Sequence, residues 1–226
     1  MKLTLKEKKL ETSDVISFIF ESEKPVQWKA GQFLFYILEH INADERGENR
    51  YFTNASAPHE KFVRITTRFN ERGSSFKKAL KNLEIGSKIE AFPPDGDFVV
   101  DDASQKMVFI AGGIGITPFR SILIDLEYRN SIKDIVLICA NRNNEIVYKA
   151  EIEKIVSQNP GLKIHYVVDP EKVNAQKIKE SLSDFTERIF YLSGPKGMIQ
   201  NMKAVVLNEL GVGKKLIKID YFPGYD

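Results

Sequence analysis

Cysteine is almost missing from this chain of 226 residues: Cys139 is the only one. A single thiol closes no internal disulfide, and an iron–sulfur cluster held by thiolates needs several. Any cluster that trades electrons with this chain must therefore belong to another one. An excess of charge is missing too. The 33 Lys and Arg nearly balance 31 Asp and Glu, a formal net charge of +2, so the overall basic field of a nucleic-acid binder is not there. No apolar run reaches the ~18 residues of a membrane-spanning helix. The opening "MKLTLKEKKL" is charged and has no apolar h-region, so no signal peptide is expected and the cytoplasm is the default location. The histidines, His40, His59 and His165, are scattered and form no metal or proton-transfer group.

What is present divides into two textures. Hydrophobic residues make up 42% and charged residues 28%, as in ordinary globular proteins. Up to residue 100 the chain reads as β. "DVISFIFES", "GQFLFYILE", "KFVRITTRF" and "SKIEAFPPDG" are short segments rich in β-branched and aromatic residues, separated by turn signals. One helix interrupts them, "SSFKKALKNL", with Ser74 or Ser75 as its N-cap and Phe76, Ala79, Leu80 and Leu83 at helical spacing. This pattern predicts a small antiparallel β-barrel over 1–101. From 105 to 226 apolar strands alternate with amphipathic helices: "KMVFIAG", "DIVLICA", "KIHYVV", "RIFYLSG" and "KLIKIDYF" against four helical segments. Right-handed βαβ units and a parallel, Rossmann-like α/β sheet follow. "DDASQK" (101–106) reads as the linker.

The turn "IAGGIGITPFRSIL" (110–123) joins the first of these strands to its helix. Gly112, Gly113 and Gly115 permit a tight turn and the close approach of a phosphate, favoured by backbone N–H groups and the helix dipole. A tight turn without a ligand would also use them. No Gly-Lys-Ser/Thr follows, so this is not a P-loop. Pro118 stands where a Rossmann fingerprint has its third glycine, and it suits a helix's first turn, where its missing N–H costs nothing. Thr117 beside it is a candidate to offer a hydroxyl. A second such turn, "YLSGPKGM" (191–198), brings Ser193, Gly194, Pro195 and Met198 to the same sheet edge. Two glycine turns on one sheet point to a dinucleotide.

Together these segments resemble the ferredoxin–NADP reductase-like flavoproteins, with the family's motifs in order along nearly the whole chain. "RYFT" (Arg50, Tyr51, Phe52, Thr53) resembles the Arg-x-Tyr-Ser flavin motif, with Phe52 for tyrosine and Thr53 for serine. "RGSSF" (72–76) resembles the segment that carries the flavin pyrophosphate at a helix N-terminus, through Gly73, Ser74 and Ser75. "PPDGDF" (93–98) resembles the turn that closes the barrel, with Pro93 for glycine. "GGIGITPFRSIL" resembles the nicotinamide-nucleotide loop, "YLSGPKGM" the Cys-Gly-Pro segment with Ser193 for cysteine, and "DYFPGY" the aromatic C-terminus. The resemblance implies an FAD-binding barrel and an NAD(P)-binding sheet. Arg50 would pair with the pyrophosphate, Phe52 would pack on the ring, and Thr53 would reach its N5 edge. Arg64, Ile65 and Thr66 would bind the flavin through their backbone. Ser193 would lie beside the nicotinamide, and Phe222 (or Tyr225) would cover the flavin.

The implied activity is an NAD(P)H-dependent oxidoreductase. Hydride passes from NADPH or NADH to FAD, then single electrons to an acidic carrier, ferredoxin or flavodoxin, or to an oxygenase component. Reduction of free flavin or another small acceptor, and a flavin subunit that never turns over alone, are the alternatives. No general acid or base is required. Asn141 and Arg142, after the second parallel strand, suit the 2′-phosphate of NADPH; Asp169-Pro170 after the third keeps NADH open. Lys77, Lys78 and Lys81, with Arg72 upstream, make either a solvated helix face or a docking face for the acidic carrier.

Overall fold

The computed structural model describes residues 1–71 and 73–222, with Tyr221 and Phe222 described by backbone alone. Six antiparallel strands form the first half: β1 (Lys2–Thr12), β2 (Val15–Ser22), β3 (Phe33–Ile37), β4 (Asn49–Thr53), β5 (Val63–Arg68) and β6 (Lys88–Ala91). Their spatial order is β4-β3-β6-β1-β2-β5. They roll around Leu3, Phe18, Leu34, Tyr36, Ile65 and Phe76, all fully buried. β4 and β5 are the two edges. Among the described residues no ladder joins them, and the Ala55 N–H meets the Arg64 carbonyl at 2.9 Å where their ends converge. The barrel is thus open along a slot between β4 and β5.

Two of these strands, β1 and β4, are absent from the sequence reading. β1 hides behind four lysines, and only Leu3 and Leu5 along it are buried. Register shifts against β2, between Leu5 and Glu7 and between Leu10 and Thr12, also break its two-residue alternation. Helix α1 (Ser75–Asn82) follows β5 as expected, with Ser74 as N-cap accepting the Lys77 N–H at 3.3 Å. Phe76 and Leu80, four apart on one face, bury it against the barrel.

The second half is a parallel sheet of β7 (Met107–Gly112), β8 (Ile135–Asn141), β9 (Leu162–Val168), β10 (Ile189–Pro195) and β11 (Ile217–Phe222), in the order β11-β10-β7-β8-β9. Helices α2 (Ile116–Tyr128) and α3 (Lys149–Gln158) cover one face with Phe119, Leu126 and Ile152. Helices α4 (Ala175–Ser181) and α5 (Lys196–Ala204) cover the other with Ile178, Ile199 and Met202. β7 is buried throughout, as a strand covered on both faces must be. Among the described residues no helix is long and apolar enough to cross a membrane. The strand order reverses between β7 and β10, which makes the carboxyl ends of these two strands the place for a ligand in such a sheet.

Candidate functional site

Both glycine turns stand at that reversal point, and they pack on each other. A Cβ on Gly115 would lie 2.2 Å from the Ser193 carbonyl oxygen, and one on Gly112 would lie 2.2 Å from Met198 Sδ. What passes close to the backbone at these two glycines is therefore the neighbouring turn. Gly113 is different. Its φ is +52°, and the nearest atom to a Cβ there would be Arg68 Nη1, at 3.9 Å. Of the three loop glycines, it is the one whose Cβ position is not crowded by the neighbouring turn. The Thr117 hydroxyl donates to the Ile114 carbonyl at 3.1 Å and is buried, so it closes its own loop instead of meeting a ligand. Gly113–Gly115 form a 3₁₀ turn, and α2 begins at Ile116, which puts Pro118 in the first helical turn.

Ser193 is fully buried, and β10 pairs it with Asp220 of β11. Ser193 Oγ and Asp220 Oδ2 both lack a well-formed hydrogen bond. Burial pushes the Asp220 carboxyl up to about 6, while the Ser193 hydroxyl beside it pulls the other way. The sequence reading missed Asp220, although a carboxylate inside the apolar strand "KLIKIDYF" was a visible signal. The Phe222 backbone pairs with Pro195 at the same strand end. Its side chain, Tyr225 and Arg72 lie outside the described residues.

Across the crevice lies the barrel slot. Thr53 ends β4 and is nearly buried; Arg64, Ile65 and Thr66 lie on β5. The Ile65 side chain belongs to the barrel core. The Thr66 hydroxyl bonds to Ser17 at 2.7 Å and to the Tyr148 hydroxyl. For both residues only the backbone remains for the slot. The Arg64 guanidinium lies over Phe62, 5.4 Å from the ring, with its Nε unpartnered. Strand alternation sends Arg50 and Phe52 together toward Phe76, at 5.5 and 5.8 Å from its ring. The same alternation sends Tyr51 the opposite way. It packs on Phe33 and Phe35 outside the barrel, 63% exposed, so the structure separates it from the other motif residues.

The start of α1 holds an anion supplied by the chain itself. Asp44 Oδ2 accepts the Ser75 N–H at 2.8 Å, and Oδ1 accepts Arg46 N–H at 3.0 Å and Arg50 Nη2 at 3.2 Å. The Ser75 hydroxyl meets His40 Nε2 at 2.8 Å and the Asp44 N–H at 2.9 Å. The Ser75 N–H, more than any other group, holds Asp44 down at about 2. Lys77 is pushed down to about 8, first by burial and then by Arg46, Arg50 and Arg68. The seat expected for a pyrophosphate is thus strongly cationic, but Arg50 also donates to the carbonyls of Arg46, Gly47 and Asn49. Gly73 sits just before it, its N–H on the Asn70 carbonyl at 3.1 Å. Lys78 and Lys81 are exposed, but Lys77 donates to the Arg68 carbonyl at 3.1 Å and is half-buried. Of the three lysines, two are therefore left on the exposed face of α1.

At the end of β8 the Asn141 carbonyl accepts the Asp169 N–H at 3.1 Å, and Arg142 is exposed. Gly194 stands against Gly112, where a Cβ would be 3.1 Å from the Gly112 Cα. Cys139 is buried and its thiol is pushed up to about 12, which removes it from the chemistry.

Comparison with known proteins supports this fold. Residues 109–204 match the oxidoreductase NAD-binding domain family. A flavohemoprotein of Rhodopirellula baltica is 28% identical over 95% of this chain and 59% of its own length. The glycine betaine monooxygenase reductase subunit of Chromohalobacter salexigens is 28% identical over 87% of this chain and 57% of its own. The chain thus spans less than two thirds of the curated relatives it matches. Among solved structures, the flavohem-like FAD/NAD-binding domain of Vibrio cholerae nitric oxide dioxygenase superposes with a TM-score of 0.86 at 22% identity, covering 98% of both chains. Plasmodium falciparum ferredoxin–NADP+ reductase does so at 0.83 and 18% identity, covering 98% of this chain and 95% of its own.

Proposed function

We propose that the chain is a reductase of the ferredoxin–NADP reductase-like kind, one that holds FAD in the barrel slot and NADPH or NADH at the glycine loop. Its electrons go to a separate acceptor protein: a ferredoxin, a flavodoxin or an oxygenase component. The observation that carries the reading is the meeting of the two seats. Arg68 closes β5, which borders the slot, and its Nη1 stands 3.9 Å from where a Cβ on Gly113 would lie.

The residues suit both groups. As edge strands, β4 and β5 each present a row of backbone N–H and C=O groups to the slot. Phe52 offers an aromatic face, Thr53 a hydroxyl, and Arg50, Lys77 and the α1 N-terminus an anion seat. Gly113 leaves room for a nucleotide phosphate beside the start of α2, and Arg142 stands free for a 2′-phosphate. Bound together, the pair supplies transfer of a hydride, two electrons with one proton, from dihydronicotinamide to flavin, and onward release of single electrons. The chain's work is then to hold, orient and exclude water. Ser193, fully buried, and Asp220, half-buried on the neighbouring strand, would lie at the nicotinamide end of the crevice, beside the packed glycine turns.

The named kinship to a monooxygenase reductase subunit favours a protein acceptor over free flavin. The test is cytochrome c reduction by the FAD-loaded chain with NADPH or NADH. A rate that depends on added ferredoxin or flavodoxin, with little reduction of free FMN or riboflavin, supports the reading. Fast reduction of free flavin with no response to either carrier contradicts it.

A further inference from the structure

We propose that Arg120 is a positioning residue that locks the nucleotide loop to the flavin slot and so fixes the register between hydride donor and acceptor. The inference rests on the FAD and NAD(P)H reading above. Arg120 lies on α2, five residues beyond Gly115, and is 1% exposed. Its guanidinium donates five hydrogen bonds into three separate segments. Nη1 reaches the Ala55 carbonyl at 2.7 Å and Glu60 Oε2 at 2.8 Å. Nη2 reaches Glu60 Oε1 at 3.0 Å and Glu151 Oε1 at 2.6 Å, and Nε reaches Glu151 Oε2 at 2.8 Å.

Each partner leads back to the site. Ala55 is two residues from Thr53. The next residue of α2, Ser121, donates to the next carbonyl, Ser56, at 2.7 Å. Two consecutive helix residues therefore grip two consecutive carbonyls of the segment that leaves β4. Asn54 Oδ1 then accepts the Ser56 and Arg64 N–H groups at 3.2 and 3.0 Å, which ties that segment across to β5. Glu60 also accepts the Ala57 N–H at 2.7 Å. On the other side, the Tyr148 ring lies 5.3 Å from the guanidinium, and its hydroxyl meets Thr66 on β5.

A buried guanidinium between two carboxylates is weak evidence for stability as such, because desolvation offsets most of the attraction. Its forked geometry, in contrast, fixes direction at every bond. The link from Gly113 to Thr53 runs through one stiff helix turn, one guanidinium and two residues of bound chain. Displacement of a reacting group by about 1 Å is enough to slow a reaction by about a hundredfold.

The test compares wild type with Arg120→Lys, Arg120→Met and Ser121→Ala. FAD affinity is read from flavin fluorescence. The limiting rate and half-saturating concentration of flavin reduction by NADPH and NADH come from anaerobic stopped flow. Long-wavelength charge-transfer absorbance reports nicotinamide stacked on flavin. Amide hydrogen exchange on the flavin-free protein reports the link without any cofactor. For Arg120→Met the limiting rate is expected to fall ten- to a hundredfold and the charge-transfer band to fade, with FAD affinity and half-saturation changed less than about threefold. Residues 54–57 and 113–121 are expected to exchange faster together, and Arg120→Lys to fall between, since an ammonium cannot hold two carboxylates as a fork does. Should Arg120→Met not fold, Arg120→Lys and Ser121→Ala carry the same comparison. A limiting rate and band unchanged in the folded variants, or a rate lost only in proportion to lost FAD, overturns the inference. A wild type that binds FAD but is reduced by neither nucleotide overturns the underlying reading and the inference with it, whereas hydrogen exchange still reports whether Arg120 links the two segments.

Discussion

The Asp44 carboxylate accepts the Ser75 backbone N–H at 2.8 Å, in the first turn of α1 where a phosphate would be held. It also takes Arg50 Nη2 at 3.2 Å, so it would compete with a pyrophosphate for the same donors. With the carboxyl held at about 2, this internal anion stays charged at any pH at which the protein would be handled. Asp44→Ala is expected to tighten FAD binding about tenfold, or about 1.4 kcal/mol, and to leave riboflavin binding unchanged, because riboflavin has no phosphate. Fluorescence titration of the flavin-free protein checks both. Weaker FAD binding in the variant would make Asp44 a ligand-ordering residue and not a competitor.

Arg50→Ala is expected to weaken FAD by ~2–4 kcal/mol, the loss of a charge-assisted pair to pyrophosphate. Arg50 also ties down the 46–49 backbone, so a small fall in melting temperature should accompany it. Equilibrium dialysis against FAD, beside a thermal melt, separates the two effects. Full flavin content with normal affinity would reduce Arg50 to a loop fastener.

Asp220 makes stability depend on pH. Its carboxyl moves from 3.8 when unfolded to about 6 when folded, because burial disfavours the charged form. In that window the folded state holds a proton that the unfolded state has lost. Stability therefore falls as pH rises from about 4 to about 6 and stays lower above it. The charged form costs about 3 kcal/mol by this shift. Asp220→Asn is expected to raise the melting temperature at pH 8 and to change it little at pH 4. Equal shifts at both pH values would show that Asp220 is not buried as a charge.

Arg142→Ala is expected to raise KM for NADPH more than for NADH, with kcat nearly unchanged. The exposed arginine would meet only the 2′-phosphate, an interaction the same in ground and transition states. Steady-state kinetics with both nucleotides decides it, and equal effects on the two would remove Arg142 from the nucleotide site.

How much of this was legible before the fold was seen differs from element to element. The parallel sheet was, because β7, β8 and β10 are apolar over most of their length and are bounded by turn residues. β1 was not, because its lysines and its register shifts obscure the alternation a strand is read by. Tyr51 shows a similar limit: a motif names neighbours in sequence, but β4 sends alternate side chains to opposite faces. In the sequence the glycines mark a backbone that a phosphate can approach closely. What approaches Gly112 and Gly115 is the β10 turn, a contact between residues some 80 apart that no local pattern encodes. Asp44, Arg68 and Arg120 were invisible for the same reason. Each takes its role from partners brought in by the fold: Ser75, Gly113 and Glu60.

The central claim is that this chain passes electrons from a nicotinamide nucleotide to a flavin bound in its barrel. The measurement that meets it most directly is the visible spectrum of the purified protein, loaded with FAD, as NADPH and then NADH are added without oxygen. Bleaching of the flavin band near 450 nm within seconds, complete at about one nucleotide per flavin, is the expected result. A protein that takes up no FAD, or one whose bound flavin keeps its colour with both nucleotides while dithionite bleaches it, would contradict the claim.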